Sequence, residues 1–307
     1  MRMKQRAMTM TDKRAAVDLH VHSSKSDGSL SPSELVDLAV KTGLKAIALT
    51  DHDTTDGIDE ALAAAEKYRK NGTDITVIPG VELSTAYRGE SIHIVGLMID
   101  RNVPAFQNHI RHFIDQREER NRKMCGKLRE HGIDIDYETL VEENPDCVIT
   151  RPHYAKYMLK HGYVSSVKEA FERYIGDHAP CYVKREKILP KEGVKLVLAA
   201  GGIPVLAHPL LYGFGKEELG KLVRSLKEEG LVALEAIYSS YSPADQSRMT
   251  KLAEDNGLLV SGGSDFHGET VKPGLKMGSG YGNLYVPCEV FQTLKDYHRQ
   301  HSMSHSV

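Results

Sequence analysis

The chain has 307 residues, with 40 Lys plus Arg against 42 Asp plus Glu and 40% hydrophobic residues. That length and apolar content bury a large core and exclude a disordered chain. A net charge of −2 excludes attraction of nucleic acid by the whole surface, so phosphate binding must be local.

Residues 1–14 are polar and basic, and are expected to be a disordered extension rather than a secretory signal. Short apolar runs then predict strands at Ala16–Val21, Ala46–Thr50, Thr76–Pro79 and Ile92–Leu97. Later runs predict strands at Pro204–Ala207, Val232–Ile237, Leu258–Ser261 and Asn283–Val286. Ser31-Pro32-Ser33-Glu34 is a capping box with proline at the first helical position, and Gly43 ends that helix. Ser242-Pro243-Ala244-Asp245 repeats the start signal. Strand–helix alternation predicts a parallel sheet with ligands at the C-terminal strand ends.

From Val103 to Lys187 the strand rhythm stops. Ile110, Phe113, Ile114, Met124 and Leu128 mark a long amphipathic helix, and Ser166 caps another. The organisation expected is a barrel at 15–102 and 188–290, an inserted helical cap at 103–187, and a C-terminal helix end and tail at 291–307. No apolar run approaches the roughly 18–20 residues that cross a bilayer. Cysteines at 125, 147, 181 and 288 lack CxxC spacing, which favours reduced thiols and a cytoplasmic location.

Nine metal-seeking side chains lie close to strand ends: His20, His22, Asp27, His52, Glu82, His93, His208, Asp265 and His267. Positions i and i+2 of a strand point the same way, so His20 and His22 can grip one metal, and Asp265 and His267 repeat the spacing. The polar loop Ser23–Gly28 can return Asp27 over the pocket, and Glu82 can bridge two metals through its two oxygens. Mixed His and carboxylate ligands fit Mn²⁺, Fe²⁺ or Zn²⁺ better than Ca²⁺ or Mg²⁺. Asp51 and Asp53 flank His52, where orienting the imidazole and capping a turn both remain open.

Several features read as structural. The basic series Arg111, Arg117, Arg120, Arg122, Lys123, Lys127 and Arg129 is diluted by Glu118, Glu119 and Glu130 and is expected to be a solvated helix face. The glycine-rich stretches 213–216 and 278–282 are expected to be loops, Tyr238 and Tyr241 to pack or lie at the surface, and the tail histidines to fray.

The motifs DLHVHSSKSDGSLSP, IALTDHDTTDGI, VIPGVELS, IHIVGL, VLAHP and GGSDFHG resemble the PHP (polymerase and histidinol phosphatase) superfamily of metal-dependent phosphoesterases. Thr150-Arg151-Pro152-His153-Tyr154-Ala155 resembles the bacterial subgroup that hydrolyses nucleoside 3′,5′-bisphosphates and trims short RNA from its 5′ end. The resemblance implies a distorted (β/α)7 barrel with a helical cap and up to three metals, Mn first, with Fe or Zn as alternatives. It implies a first site of His20, His22, Glu82 and Asp265, a second of Asp27, His52 and His267, and a third of Glu82, His93 and His208. It also implies that Arg151 and His153 reach a second substrate phosphate, with Lys184 a weaker candidate. The nucleophile expected is a hydroxide bridging the metals, with no nucleophilic side chain. Alternatives are a phosphodiesterase acting on a cyclic phosphate of ribose, a histidinol phosphatase, an amide hydrolase on a similar barrel, and a non-catalytic metal or nucleotide sensor. The expected partner is a small nucleotide or short RNA, with no membrane; the oligomeric state stays open.

Overall fold

A computed structural model describes residues 16–145, 147–184 and 187–302. The expected extension at 1–14 and the last tail residues, His305 among them, lie outside the described residues.

Seven strands form one sheet in sequence order: β1 (Val17–Val21), β2 (Ala46–Leu49), β3 (Thr76–Tyr87), β4 (Glu90–Leu97), β5 (Ile203–Leu206), β6 (Ala233–Tyr238) and β7 (Leu259–Gly263). Helices α1 (Pro32–Thr42) and α2 (Ile58–Lys70) link the first three strands. Between β4 and β5 come α3 (Pro104–Glu130), α4 (Tyr137–Glu143), α5 (Arg151–Lys160), α6 (Val167–Ala170) with a π-helical turn, and α7 (Pro190–Ala199). Helices α8 (Lys216–Glu228) and α9 (Pro243–Asp255) separate the last strands, and α10 (Cys288–Ser302) follows them. The sheet nearly closes: His22 N–H donates to Phe266 O at 2.8 Å and Asp265 N–H to His20 O at 2.9 Å.

Two expectations need correction. The sheet is not wholly parallel, because β4 runs antiparallel to both β3 and β5. Arg88 and Gly89 connect β3 to β4 with φ of 52° and 92°, a two-residue hairpin turn too short for a crossover helix. Nor is Asn283–Val286 a strand; it is a turn and an extended segment from which Val286 O accepts the Val17 N–H.

The capping boxes at Ser31 and Ser242 are formed, and Gly43 takes the left-handed conformation that ends α1. The main core packs strand residues such as Ile47, Leu49 and Leu83 against α1, α2, α7, α8 and α9. The helical insert builds its own core from Met124, Leu128, Leu140, Tyr154, Met158 and Ile175. Helix α3 serves both, with Phe106, Ile110 and Phe113 in the main core and Met124 and Leu128 in the insert's. The cap is therefore held to the barrel by a continuous helix rather than a linker.

Candidate metal centre

Eight of the nine predicted side chains converge on the carboxylates of Glu82 and Asp265, and Asp27 faces them from its loop. Glu82 lies inside β3 and is 1% exposed. Its Oε2 faces His20 Nε2 at 3.3 Å, His22 Nε2 at 3.2 Å and His52 Nδ1 at 3.1 Å. Its Oε1 faces His93 Nδ1 at 2.8 Å and His208 Nε2 at 3.0 Å. Asp265 Oδ1 stands 3.3 Å from both His22 Nε2 and His267 Nδ1. Asp27 reaches His267 Nε2 at 3.2 Å and His52 Nε2 at 3.8 Å.

His93 reaches this cluster from the first half of β4, because the reversed strand brings that half to the mouth where the other strands end. The loop carrying Asp27 is pinned by Asp51, which accepts from Ser23 N–H, Ser23 Oγ–H and Ser26 Oγ–H at 2.6–2.7 Å. Gly28 is required there, since a Cβ would stand 2.3 Å from His22 O.

The residues fit metal binding on three grounds. Buried nitrogens His20 Nε2, both ring nitrogens of His22, His52 Nδ1 and His208 Nδ1 have no hydrogen-bond partner among the described residues, nor has Asp27 Oδ1. Buried polar groups are otherwise paired. Ligands about 2.1 Å from one ion sit roughly 3.0–3.4 Å from each other, and most contacts above have that length. Three groups could hold an ion: His20, His22, Glu82 and Asp265; His22, Asp27, His52 and His267; and His52, Glu82 and His93. His208 adds a nitrogen at the same Glu82 oxygen as His93.

The electrostatics divide the cluster: against burial, Glu235 and Glu82 raise His20 well above the usual imidazole range, and Asp265 and Glu82 raise His22 to about 9, so a metal would displace protons from these two rings. Burial opposes ionisation of Glu82, yet the rings of His93 and His20 hold it well below the usual carboxylate range. Asp265 is held low in the same way, against burial, by the Lys272 ammonium and nearby imidazoles. Burial pushes His52 down to about 3 and lowers His267, so these rings are neutral. Asp265 (φ 56°) and His208 (φ 27°) both adopt left-handed backbone, the kind of strain that gathers at functional sites.

A cavity of about 230 Å³ opens beside the cluster, walled by Asp27, His52 and His93 and by the cations Arg117, Arg120, Arg151 and Lys187. Arg117 and Arg120 thus depart from the expected solvated face: they are 7% and 8% exposed. Arg117 pairs with Asp53, which also accepts the Ser84 N–H at 2.8 Å. Arg151 sits over the Phe171 and Tyr182 rings and donates to Asp177 at 2.8 Å. His153 does not line this cavity; its Nδ1 accepts the Thr150 N–H at 2.9 Å, closing a capping box at the start of α5. Lys184 is exposed and does not line it either.

Sequence reasoning missed the supports. Glu235 accepts the His208 N–H at 2.7 Å and meets His20 Nδ1 at 3.0 Å. Tyr238 and Lys272 donate to Asp265 Oδ2 at 2.7 and 2.6 Å. Asp18 accepts from Ser264 N–H and Gly278 N–H at 2.8 Å each, bracing the Asp265 turn. The available signal was an ionisable residue inside an apolar strand, true of Asp18 and Glu235.

A nearly closed α/β barrel with this cluster at its mouth and a cationic cavity beside it has the form of a metal-dependent hydrolase for an anionic substrate. The chain matches the PHP domain family over residues 18–176. It is 38% identical over 250 residues, 81% of its length, to a Haemophilus influenzae protein named 5′-3′ exoribonuclease, covering 89% of that protein. It is 34% identical over 255 residues to a Chromobacterium violaceum protein named 3′,5′-nucleoside bisphosphate phosphatase, covering 82% of this chain and 87% of that one. A solved Chromobacterium violaceum structure, described as an amidohydrolase with bound sulfate and no metal, matches with a TM-score of 0.79 at 31% identity, covering 92% of this chain and 96% of that one. The chain belongs to the PHP domain family and is a metal-dependent phosphoric ester hydrolase.

Proposed function

We propose that this chain removes the 3′-phosphate of nucleoside 3′,5′-bisphosphates, and that the same site trims short RNA from its 5′ end. The observation that carries the proposal is the set of four cations on the cavity wall facing Asp27, His52 and His93. A simple phosphomonoester needs only the metal cluster; a separate cationic pocket serves a second phosphate. The names of two relatives, a bisphosphate phosphatase and an exoribonuclease, agree with such a substrate.

In this reading the nine predicted side chains would hold the metal ions, and Glu82 has an oxygen facing His20, His22 and His52 and another facing His93 and His208. Three sites can fill, and the mixed nitrogen and carboxylate set suits Mn²⁺, with Fe²⁺ or Zn²⁺ as substitutes. Bound ions supply water that ionises near neutral pH and positive charge for the phosphoryl oxygens. The protein supplies placement. Arg151, over the Phe171 and Tyr182 rings and paired with Asp177, would turn its planar fork to the second phosphate. Arg117 and Arg120 add charge from α3, and Lys187 donates to Ser91 Oγ at 2.6 Å, which meets His93 Nε2 at 3.2 Å. The second-phosphate role expected of His153 passes to these cations.

Arg151→Ala is the test. A charge-assisted hydrogen bond contributes about 1.5–3 kcal/mol, so kcat/KM on adenosine 3′,5′-bisphosphate should fall on the order of tenfold or more. Hydrolysis of a simple phosphomonoester should hold within about twofold, because it lacks the group this fork binds. Equal losses on both substrates, or none on the bisphosphate, would sink the assignment. Activity confined to a cyclic ribose phosphate or to histidinol phosphate would keep the metal site and replace the substrate.

A further inference from the structure

We propose that a second cavity, between α3, α4 and the loop carrying Asp27, is a nucleobase-binding subsite. The inference rests on the nucleotide reading above and deepens it. The cavity holds about 510 Å³, within the roughly 300–1,000 Å³ typical of small-molecule sites. It shares Arg117 with the cationic cavity, so one guanidinium stands on the wall of both. Its other walls include Ile114, Tyr137, Val141 and Val148, an aromatic ring among aliphatic side chains.

Two buried polar atoms point to a ligand. Asn121 is 1% exposed, and its Oδ1 has no hydrogen-bond partner among the described residues. Its Nδ2 donates to Ile149 O at 2.9 Å, which fixes the amide orientation and leaves Oδ1 as the acceptor. Arg117 Nε is likewise buried without a hydrogen-bond partner. A flat apolar ring edged with N–H donors and acceptors satisfies both atoms and packs against Tyr137; a nucleobase is such a ligand. Asp56 and Glu118, also on the wall, offer acceptors to base amino groups or a ribose hydroxyl. The base can come from the nucleotide being dephosphorylated or from the next nucleotide of an RNA.

Val141→Trp fills the cavity from a position 39% exposed on α4, outside the metal cluster and the cationic cavity. Three substrates separate the sources: adenosine 3′,5′-bisphosphate, the 5′-phosphorylated dinucleotide pApA, and 1-O-methylribose 3,5-bisphosphate, which has no base. With base stacking lost, KM should rise about tenfold or more for base-bearing substrates and stay within about twofold for the baseless one. A rise for both nucleotides places the base of the reacting nucleotide here; a rise for pApA alone places the following base. No rise, or an equal rise for the baseless substrate, overturns the subsite. If the wild-type protein neither releases phosphate from the two bisphosphates nor releases AMP from pApA, the proposed function has failed instead. Adenosine binding by calorimetry then decides the subsite: a Kd weakened by Val141→Trp supports it, and no binding to wild-type protein overturns it.

Discussion

Asp265 reaches the metal cluster with a single oxygen. Tyr238 and Lys272 occupy Oδ2, so Oδ1 alone faces His22 and His267. Glu235 does the same for His20, binding Nδ1 and leaving Nε2 toward Glu82. Partners of this kind hold ligands in register and typically contribute about 10–100-fold in metal affinity. Tyr238→Phe and Glu235→Gln should therefore weaken Mn²⁺ binding by about that factor while the circular dichroism spectrum is unchanged. An unaltered Kd by calorimetry in both variants would remove the positioning role. The residues of the cluster were legible because each sits in its own short motif next to an apolar run. The supports were not, because Tyr238, Lys272 and Glu235 meet the ligands only through tertiary contact. Arg117 and Arg120 misled for a related reason: charges spaced along a helix read as solvated until another body covers them.

At the scale of elements, irregular strands aim the ligands. β1 has a register shift between Asp18 and Val21, and β6 has one between Glu235 and Ile237. Such bulges re-aim side chains next to functional sites. Sequence periodicity shows that a strand exists but not where it slips, nor that the Arg88-Gly89 hairpin reverses β4. The start of α1 was readable, since a capping box is local chemistry; Ser31→Ala should cost about 1 kcal/mol of stability in a urea titration. Tight packing of β1 on β7 supplies a second prediction. A Cβ on Gly263 would stand 2.4 Å from His20 Cβ and 2.6 Å from His20 N. Gly263→Ala must push the two strands apart, so Mn²⁺ affinity and turnover should fall together. Retention of wild-type values for both would show that the barrel seam yields without moving His20.

For the whole molecule, barrel and cap divide the work: the barrel mouth gathers ligands, and the cap brings cations and the second cavity over them. Helix α3 joins the two cores, and both cavities take residues from it. Strand–helix alternation pointed to a mostly parallel sheet, its interruption to a helical insert, and the family resemblance to a barrel, whereas the pairing of cap cations with the mouth needed the folded chain. Metal should also act as a folding ligand. Mn²⁺ at 100 times its Kd should stabilise the native state by about 2.7 kcal/mol, seen as a Tm that rises with metal concentration and falls with chelator.

The most direct measurement is phosphate release from adenosine 3′,5′-bisphosphate and from adenosine 3′-monophosphate by chelator-stripped protein titrated with Mn²⁺. Two lost charge-assisted contacts at about 1.5–3 kcal/mol each predict a preference for the bisphosphate on the order of 100-fold or more, appearing only as metal is restored. Equal rates on the two nucleotides, or release that ignores the metal, would contradict the account.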